Sequence, residues 1–289
     1  MGNSYITDAI CLKTHDYSES SQILHLFTAD QGAIRAVAKG IRRPKSRLSG
    51  SAQLFQVSTF QCVRGKNLDT VTQYRPVQSF SSVGTDLLAS GLACGCADVL
   101  RWAVPEHDPH CEEVFNTFRD YLLKLDSLSS FGAKGLPDLL NLSSASLSHA
   151  SEGSREKLIL MVSMVALTMD ALLTLSDALG LAPSLHLCPV CHEPVLVDGQ
   201  PKRFSLPLHG VVHSECQPQA ELMANHTKGW ARLNPATFRV LHAPLTDVEG
   251  WEDLKQTPFR PLRFMVYYLS SVLEHSIPAF DVAFSLQDA

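Results

Sequence analysis

Four residues in the second half of the chain have the types and the spacing of a metal site. They form two pairs, Cys188-Pro-Val-Cys191 and His213-Ser-Glu-Cys216, which are separated by 21 residues. Two such pairs are how zinc ribbons present four ligands, and thiolate and imidazole groups suit zinc. The pattern predicts a structural Zn²⁺ site, because four protein ligands leave no open position for catalysis. Alternatives for the fourth ligand are His186, His192 and His209.

A second group of residues is defined by its charge. Residues 35–47 contain six cations and no acid, namely Arg35, Lys39, Arg42, Arg43, Lys45 and Arg47. Residues 1–80 hold ten Lys and Arg against five Asp and Glu, a charge of +5 in a chain of −5, so the rest carries −10. A basic module on an acidic body predicts polyanion binding. An ordinary solvated loop is the alternative interpretation.

Signatures of catalysis are missing from the sequence. It contains no Gly-rich phosphate loop and no GxSxG nucleophile elbow. The triplet Cys191-His192-Glu193 lacks the His-x-Glu spacing and the Pro-Cys-x-x-Cys order of zinc deaminases. We therefore expect that this protein is not an enzyme.

Five segments of residues 1–80 have the composition of strands separated by turns. The predicted strands are Tyr5–Leu12, Gln22–Thr28, Gly32–Ala38, Gln53–Val63 and Leu68–Val77. Five short strands in this length predict an oligonucleotide-binding (OB) barrel. Period-two alternation puts Ile34, Ala36 and Ala38 on one face of the third strand, and Arg35, Val37 and Lys39 on the other. The basic segment follows that strand directly.

The remaining chain is predicted to be helical, which makes the fold class multidomain α+β. We expect a helical domain over 81–182 with a Ser-rich loop at 127–154, a zinc-ribbon-like insertion over 183–218, and the second helical part over 219–289. Leu158–Leu175 is nearly all apolar, but Asp170 interrupts it, which favours a buried central helix over a membrane span. The N-terminus has no basic and apolar signal sequence, so we expect a cytoplasmic protein.

Several of these motifs occur together in one known family. The segments Ala9–Thr28, Gly32–Gly40 and Arg43–Arg47 resemble the bacterial DNA repair protein RecO family. The likeness continues through Thr72-Gln-Tyr74, Cys188-Pro-Val-Cys191 and Leu262-Arg-Phe264. Many members of that family have Cys where His213 stands, and the Ser-rich stretch matches none of its motifs.

The resemblance implies a recombination mediator with an N-terminal OB barrel and a helical body that often carries zinc. Such a protein binds single- and double-stranded DNA, anneals complementary strands and cooperates with RecR. It also binds the C-terminal tail of single-stranded DNA-binding protein (SSB) and helps RecA load onto coated DNA. By position in the family's basic motif, the six cations of residues 35–47 inherit a role in DNA contact. The alternatives are an RNA-binding OB-fold and zinc-ribbon protein, or a zinc-stabilised protein–protein adaptor.

Overall fold

The N-terminal strands close into a barrel. The structure, a computed structural model, describes residues 4–131, 152–224 and 229–286. The barrel strands are β1 (Ser4–Asp16), β2 (Gln22–Thr28), β3 (Gly32–Ala38), β4 (Gln56–Val63) and β5 (Asp69–Ser79). Their order is β1-β2-β3-β5-β4, and the parallel pairing of β3 with β5 completes the ring. The predicted five-stranded OB barrel is confirmed.

Alternating side chains along the strands fill the barrel. Ile34, Ala36 and Ala38 are buried in the barrel core, as the period-two pattern predicts. On the opposite face of β3, Arg35 and Lys39 are exposed, whereas Val37 between them is only 5% exposed. The outer face of β3 is therefore covered at Val37 and open at both cations.

Four helices belong to the same compact unit as the barrel. They are α1 (Ser81–Thr85), α2 (Leu87–Ala103), α3 (Glu112–Phe131) and, from the end of the chain, α9 (Phe280–Ser285). Asp86 caps α2 by accepting a hydrogen bond from the backbone N–H of Ala89. Gly95 allows α2 to pack closely against Phe280 of α9, since a Cβ there would overlap the phenyl ring. The first residues of the predicted Ser-rich loop, 127–131, are helical instead and end α3, while residues 132–151 lie outside the described residues.

The second compact unit contains the remaining helices and a small sheet. Its helices are α4 (Glu152–Ala178), α5 (Gln217–Met223), α6 (Pro235–His242), α7 (Val248–Asp253) and α8 (Arg260–Val272). The strands β6 (Lys202–Ser205), β7 (Gly210–Val212) and β8 (Trp230–Leu233) form an antiparallel sheet in the order β7-β6-β8. Phe204 of β6 packs edge-on against Phe264 and Tyr268 of α8, which anchors one face of the sheet to the helices.

The apolar segment of α4 has the burial of a core helix. By length and composition, Glu156–Ala178 is one described helix that could cross a membrane, but 61% of its most apolar window is buried within the protein. Val165, Met169 and Leu172 are almost completely buried. This burial agrees with the interpretation of the segment as a central helix.

The two compact units cut the chain differently from the predicted domain boundaries. One unit comprises residues 1–130 and 277–286, and the other comprises residues 131–276 and 287–289. The helices α1–α3 are thus grouped with the barrel. The predicted limits at residues 80, 182 and 218 remain predictions about domains.

Candidate nucleic-acid interface and metal site

The basic segment after β3 is a structured loop with two apolar anchors. Ile41 and Leu48 are 6% and 8% exposed and belong to the barrel core. Between them, successive turns form through backbone hydrogen bonds from Arg43 N–H to Gly40 O and from Ser46 N–H to Arg43 O. Gly40 adopts a left-handed φ of 71°, which glycine tolerates without strain. The loop is therefore fixed at both ends, and its cationic side chains lie between the anchors.

All six cations predicted to contact DNA are exposed: Arg35, Lys39, Arg42, Arg43, Lys45 and Arg47. Two of them form ion pairs. The Arg35 Nε atom lies 2.7 Å from Glu106 Oε1. Arg42 Nη1 lies 3.0 Å from Asp16 Oδ2. The other four form no ion pair with any residue that the structure describes, so the loop presents four uncompensated charges.

Strand register aligns three residues of this side of the barrel in a row that the sequence analysis missed, although the Nζ atom of one of them, Lys13, lies 3.9 Å from Asp98 Oδ1. Lys13 of β1 lies opposite His25 of β2, and His25 lies opposite Arg35 of β3. Burial lowers the pKa of His25 to about 4, and the charges of nearby His15 and Arg101 act in the same direction. Only the pairing of three strands reveals this row, because the three residues are distant in sequence.

Aromatic side chains of the barrel contribute to its packing. Phe55 and Phe60 are 3% and 1% exposed, and Tyr74 packs partly buried against the core cluster. The ring centroids of Phe60 and Tyr74 lie 6.2 Å apart. The buried rings of Phe55 and Phe60 stabilise the barrel and are not accessible to a base.

The second half of the chain brings the predicted metal ligands together. One ligand atom from each of Cys188, Cys191, His213 and Cys216 lies within 4.8 Å of every other. The first pair sits in a tight turn, where the backbone N–H of His192 donates to Cys188 O. The second pair is formed by a 3-10 turn in which Cys216 N–H donates to His213 O. Both turns direct their side chains to one point, as a tetrahedral site requires.

Hydrogen bonding fixes the orientation of the His213 ring. Its Nε2 atom lies 3.2 Å from the carbonyl oxygen of Pro194, and its Nδ1 atom lies 3.3 Å from Cys191 Sγ. A carbonyl can only accept, so the Nε2–H donates to it and Nδ1 carries the lone pair. This arrangement is typical of metal-binding histidines, whose other ring nitrogen is held by a backbone carbonyl.

The thiols of the cluster influence one another's ionisation. Burial alone would raise the pKa of Cys188, but hydrogen bonds from the backbone of Cys191, His213 and Val190 outweigh it and lower the pKa to about 7. Desolvation, together with hydrogen bonding and charge from Cys191 and Cys188, raises the pKa of Cys216 to about 12. A divalent cation would offset this repulsion between thiolates. The donor set therefore fits a metal ion such as Zn²⁺.

The three alternative histidines are occupied elsewhere or lie outside the cluster. The His186 ring packs on His242, with centroids 4.4 Å apart, and the His209 ring packs on Tyr268. His192 has a left-handed φ of 61° in the turn after Cys191. Among the described residues, the group that could hold a metal ion contains His213 and none of these three.

Comparison with known proteins shows which proteins this chain resembles. Residues 1–80 match the family described as Recombination protein O N terminal. The chain is 33% identical over 215 residues to the DNA repair protein RecO of Desulfitobacterium hafniense, and the match covers 74% of this chain and 65% of the relative. It is 30% identical over 215 residues to that of Heliobacterium modesticaldum, covering 74% and 66%. For Symbiobacterium thermophilum RecO the identity is 27% over 217 residues, covering 75% and 73%.

The matched region spans just under two thirds of the length of the first two of these relatives. It nevertheless extends well beyond the barrel, since 215 residues exceed the 80 that form the N-terminal match. The closed five-stranded barrel at the matched N-terminus and the helical body after it agree with that relationship. The N-terminal part of the chain therefore matches the RecO family, and the similarity to RecO proteins continues over about three quarters of the chain.

Proposed function

We propose that this protein is a DNA-binding recombination mediator in DNA repair and has no covalent catalytic activity of its own. It anneals complementary strands and helps RecA load onto single-stranded DNA coated with SSB. Its partners are single- and double-stranded DNA, RecR and the C-terminal tail of SSB, and it acts in the cytoplasm at the nucleoid. The relatives that carry the name DNA repair protein RecO support the repair role.

The observation that carries the proposal is the anchored loop with its exposed charges. Lys39, Arg43, Lys45 and Arg47 form no ion pair with described residues, although the chain as a whole is acidic. Exposed cations without partners in a fixed loop are suited to bind a polyanion, because each phosphate contact releases condensed counterions. Arg35 and Arg42 lie beside them and have carboxylate partners that a phosphate would displace.

Annealing follows from the same electrostatics. Two strands repel each other through their phosphates, and a protein that neutralises part of this charge lets them approach. Cations that contact phosphates do not distinguish bases, so binding is independent of sequence. The protein therefore brings strands together, and base pairing selects the partner.

The Cys and His cluster has a structural role in this proposal. A Zn²⁺ ion would be held by Cys188, Cys191, His213 and Cys216. The ion would connect two turns that bury little apolar surface by themselves. With four protein ligands the ion has no open position for a substrate. The site stabilises the small sheet and takes no part in any reaction.

Annealing of SSB-coated complementary strands tests the proposal. The protein should accelerate annealing over SSB-coated strands alone, and a variant with Lys39, Arg43, Lys45 and Arg47 changed to Ala should lose most of that acceleration. A control variant, Arg119→Ala with Lys124→Ala on α3, should retain it; Lys124 is exposed, and Arg119 is partly exposed. No acceleration by the unmodified protein would refute the mediator role.

A competition assay between DNA and RNA strands of equal length tests which nucleic acid the protein binds. A DNA mediator makes no essential contact to a 2′-hydroxyl, so DNA should compete at least as well as RNA. Strong preference for RNA would instead identify an RNA-binding protein. Absence of any salt-sensitive binding to either would identify a protein–protein adaptor.

A further inference from the structure

The second compact unit contains a groove that the proposed function does not use. It has a volume of about 980 Å³ and runs over the small sheet beside the metal cluster. Strands β6 and β8 contribute Arg203, Trp230 and Arg232 to its lining, and the metal-ligand turns contribute His213. A smaller groove of about 320 Å³ is lined by Pro201, Arg232, Asn234 and Arg260. Pro201 and Arg232 line both, so the two grooves adjoin each other.

The arginines of these grooves lack acidic partners. Arg203 and Arg232 lie directly opposite each other on neighbouring strands, where like charges destabilise a sheet. Arg203 donates to the neutral Gln217 side chain at 2.7 Å. Neither these two nor Arg260 forms an ion pair with any residue in the described ranges. Three arginines thus line the two adjoining grooves without a carboxylate partner among the described residues.

The acids that line the larger groove do not neutralise these arginines. Asp198 is held by Lys202, whose Nζ atom lies 2.7 Å from its Oδ1. Glu215 lies beside the metal cluster, in the turn between two of its ligands. Four cations against two acids leave the combined lining of the two grooves positive, in the part of the chain whose overall charge is negative.

Arg260 lies where a cation is least favoured within a helix. It is the first residue of α8, and no acid occurs in the first turn of that helix. The N-terminus of a helix carries partial positive charge, so an anion is favoured there and a cation is disfavoured. The position of Arg260 adds to the positive potential of the groove and offers no helix capping.

An aromatic side chain lies in the same groove. Trp230 is partly exposed, and the Arg203 guanidinium lies 4.6 Å from the centroid of its ring. Single-stranded nucleic acids bind to surfaces that combine cations along the backbone with aromatic rings for the bases. Several arginines next to one such ring suit a polymer that carries both phosphates and flat bases.

We propose that this groove is a second binding surface for single-stranded nucleic acid, in which Arg203, Arg232 and Arg260 contact phosphates and Trp230 stacks on a base. This inference extends the proposed DNA binding and depends on it. A protein with one strand-binding surface in each compact unit can hold two strands at once, which is a requirement for annealing.

The test measures binding of an oligothymidylate to the full-length protein as a function of salt. A variant with Arg232→Gln and Arg260→Gln keeps Arg203 on its Trp230 and Gln217 contacts, which protects the fold of the sheet. Removal of two phosphate contacts should reduce the slope of log K against log salt by about 1.4 and weaken binding about tenfold at about 0.2 M salt. A control variant, Lys157→Gln with Lys255→Gln, changes two exposed cations of the same unit outside the groove and should bind normally.

A second readout reports on Trp230. Stacking of a base should quench tryptophan fluorescence in the unmodified protein, and Trp230→Phe should remove that part of the quenching. If the Arg232 and Arg260 variant keeps the slope of the control while the loop variant loses binding, the groove proposal is wrong and the proposed function stands. If an acidic peptide, and not the oligonucleotide, loses affinity for the groove variant, the groove binds peptides and the proposal is equally overturned. Failure of the unmodified protein to bind DNA would reject the proposed function itself.

Discussion

The ion pairs of the basic loop lead to a quantitative prediction about salt dependence. Two sets of alanine substitutions separate the cations. One set changes the unpaired residues, Lys39, Arg43, Lys45 and Arg47. The other changes Arg35 and Arg42, which bind Glu106 and Asp16 at 2.7 Å and 3.0 Å. Because all six side chains are exposed, and because the apolar anchors Ile41 and Leu48 are unchanged, neither set should unfold the barrel.

The expected magnitudes follow from counterion release. Each phosphate contact on a single strand contributes about 0.7 to the slope of log K against log salt, so the unpaired set should lower the slope by about 2.8. At about 0.2 M salt this corresponds to roughly a 100-fold loss of affinity. The paired set should lower the slope by less than about 1.4, because a carboxylate already neutralises part of each charge before DNA arrives.

Fluorescence anisotropy of a labelled oligothymidylate, titrated between about 50 mM and 200 mM salt, measures both slopes. Circular dichroism and urea unfolding of each variant verify that the fold is retained. An unchanged slope for the unpaired set would refute the assignment of the loop as the DNA contact. If Arg35 and Arg42 lowered the slope by as much per residue as the unpaired set does, their ion pairs with carboxylates would not weaken DNA contact.

Three further predictions concern the ion pair, the metal cluster and the buried histidine. Glu106→Gln should free Arg35 and raise DNA affinity about threefold at about 0.2 M salt, whereas Glu113→Gln on α3 should leave it unchanged in the same anisotropy assay. Cys188→Ser should abolish the binding of zinc, which mass spectrometry should detect at about one ion per chain in the unmodified protein. The same substitution should increase hydrogen exchange around the ligand turns. Cys94→Ser, at a free cysteine of α2, should change neither. The pKa of His25 is lowered to about 4 in the folded state from an ordinary value of 6.5, so the unfolded chain binds the extra proton between these values and stability falls as pH decreases from 6.5 to 4. Because solvent screens this half-buried ring, we expect a loss of stability of about 1–2 kcal/mol between pH 6.5 and pH 4. Urea unfolding at both pH values should show that His25→Gln loses less stability on acidification than the unmodified protein. Equal losses in both proteins would exclude His25 as the cause.

Local sequence patterns predicted the strands of the barrel well, but they predicted the ends of some strands less well. The bounds of β2 and β3 agree with the predicted segments, because alternating apolar residues and turn residues act over a few positions. β1 extends four residues beyond its predicted end, to Asp16. A register shift between Cys11 and Lys13 lets it continue to pair with β2. That continuation depends on the neighbouring strand, which no local pattern describes.

Residue types and spacing by themselves determined the metal cluster, the basic segment and the helical body. Two chelating pairs are recognisable from sequence, since each pair is closed by a turn of the chain only four residues long. The choice of His213 over three other histidines required the tertiary structure, because the 21 intervening residues fold into the sheet that brings the pairs together. Equally, the sequence showed six cations in one segment but could not show which of them have carboxylate partners.

Only the tertiary structure decided which charges remain uncompensated. Glu106 is more than 70 residues from Arg35 in sequence, yet it bridges to Gly32 and Ala33 at the start of β3 and reaches the guanidinium. The facing pair Arg203 and Arg232 likewise depends on strand register. Electrostatic interactions act through space, whereas propensity and periodicity act along the chain. The composition of this protein therefore identified its basic residues, and the packing of its strands determined which of them are available to bind a phosphate.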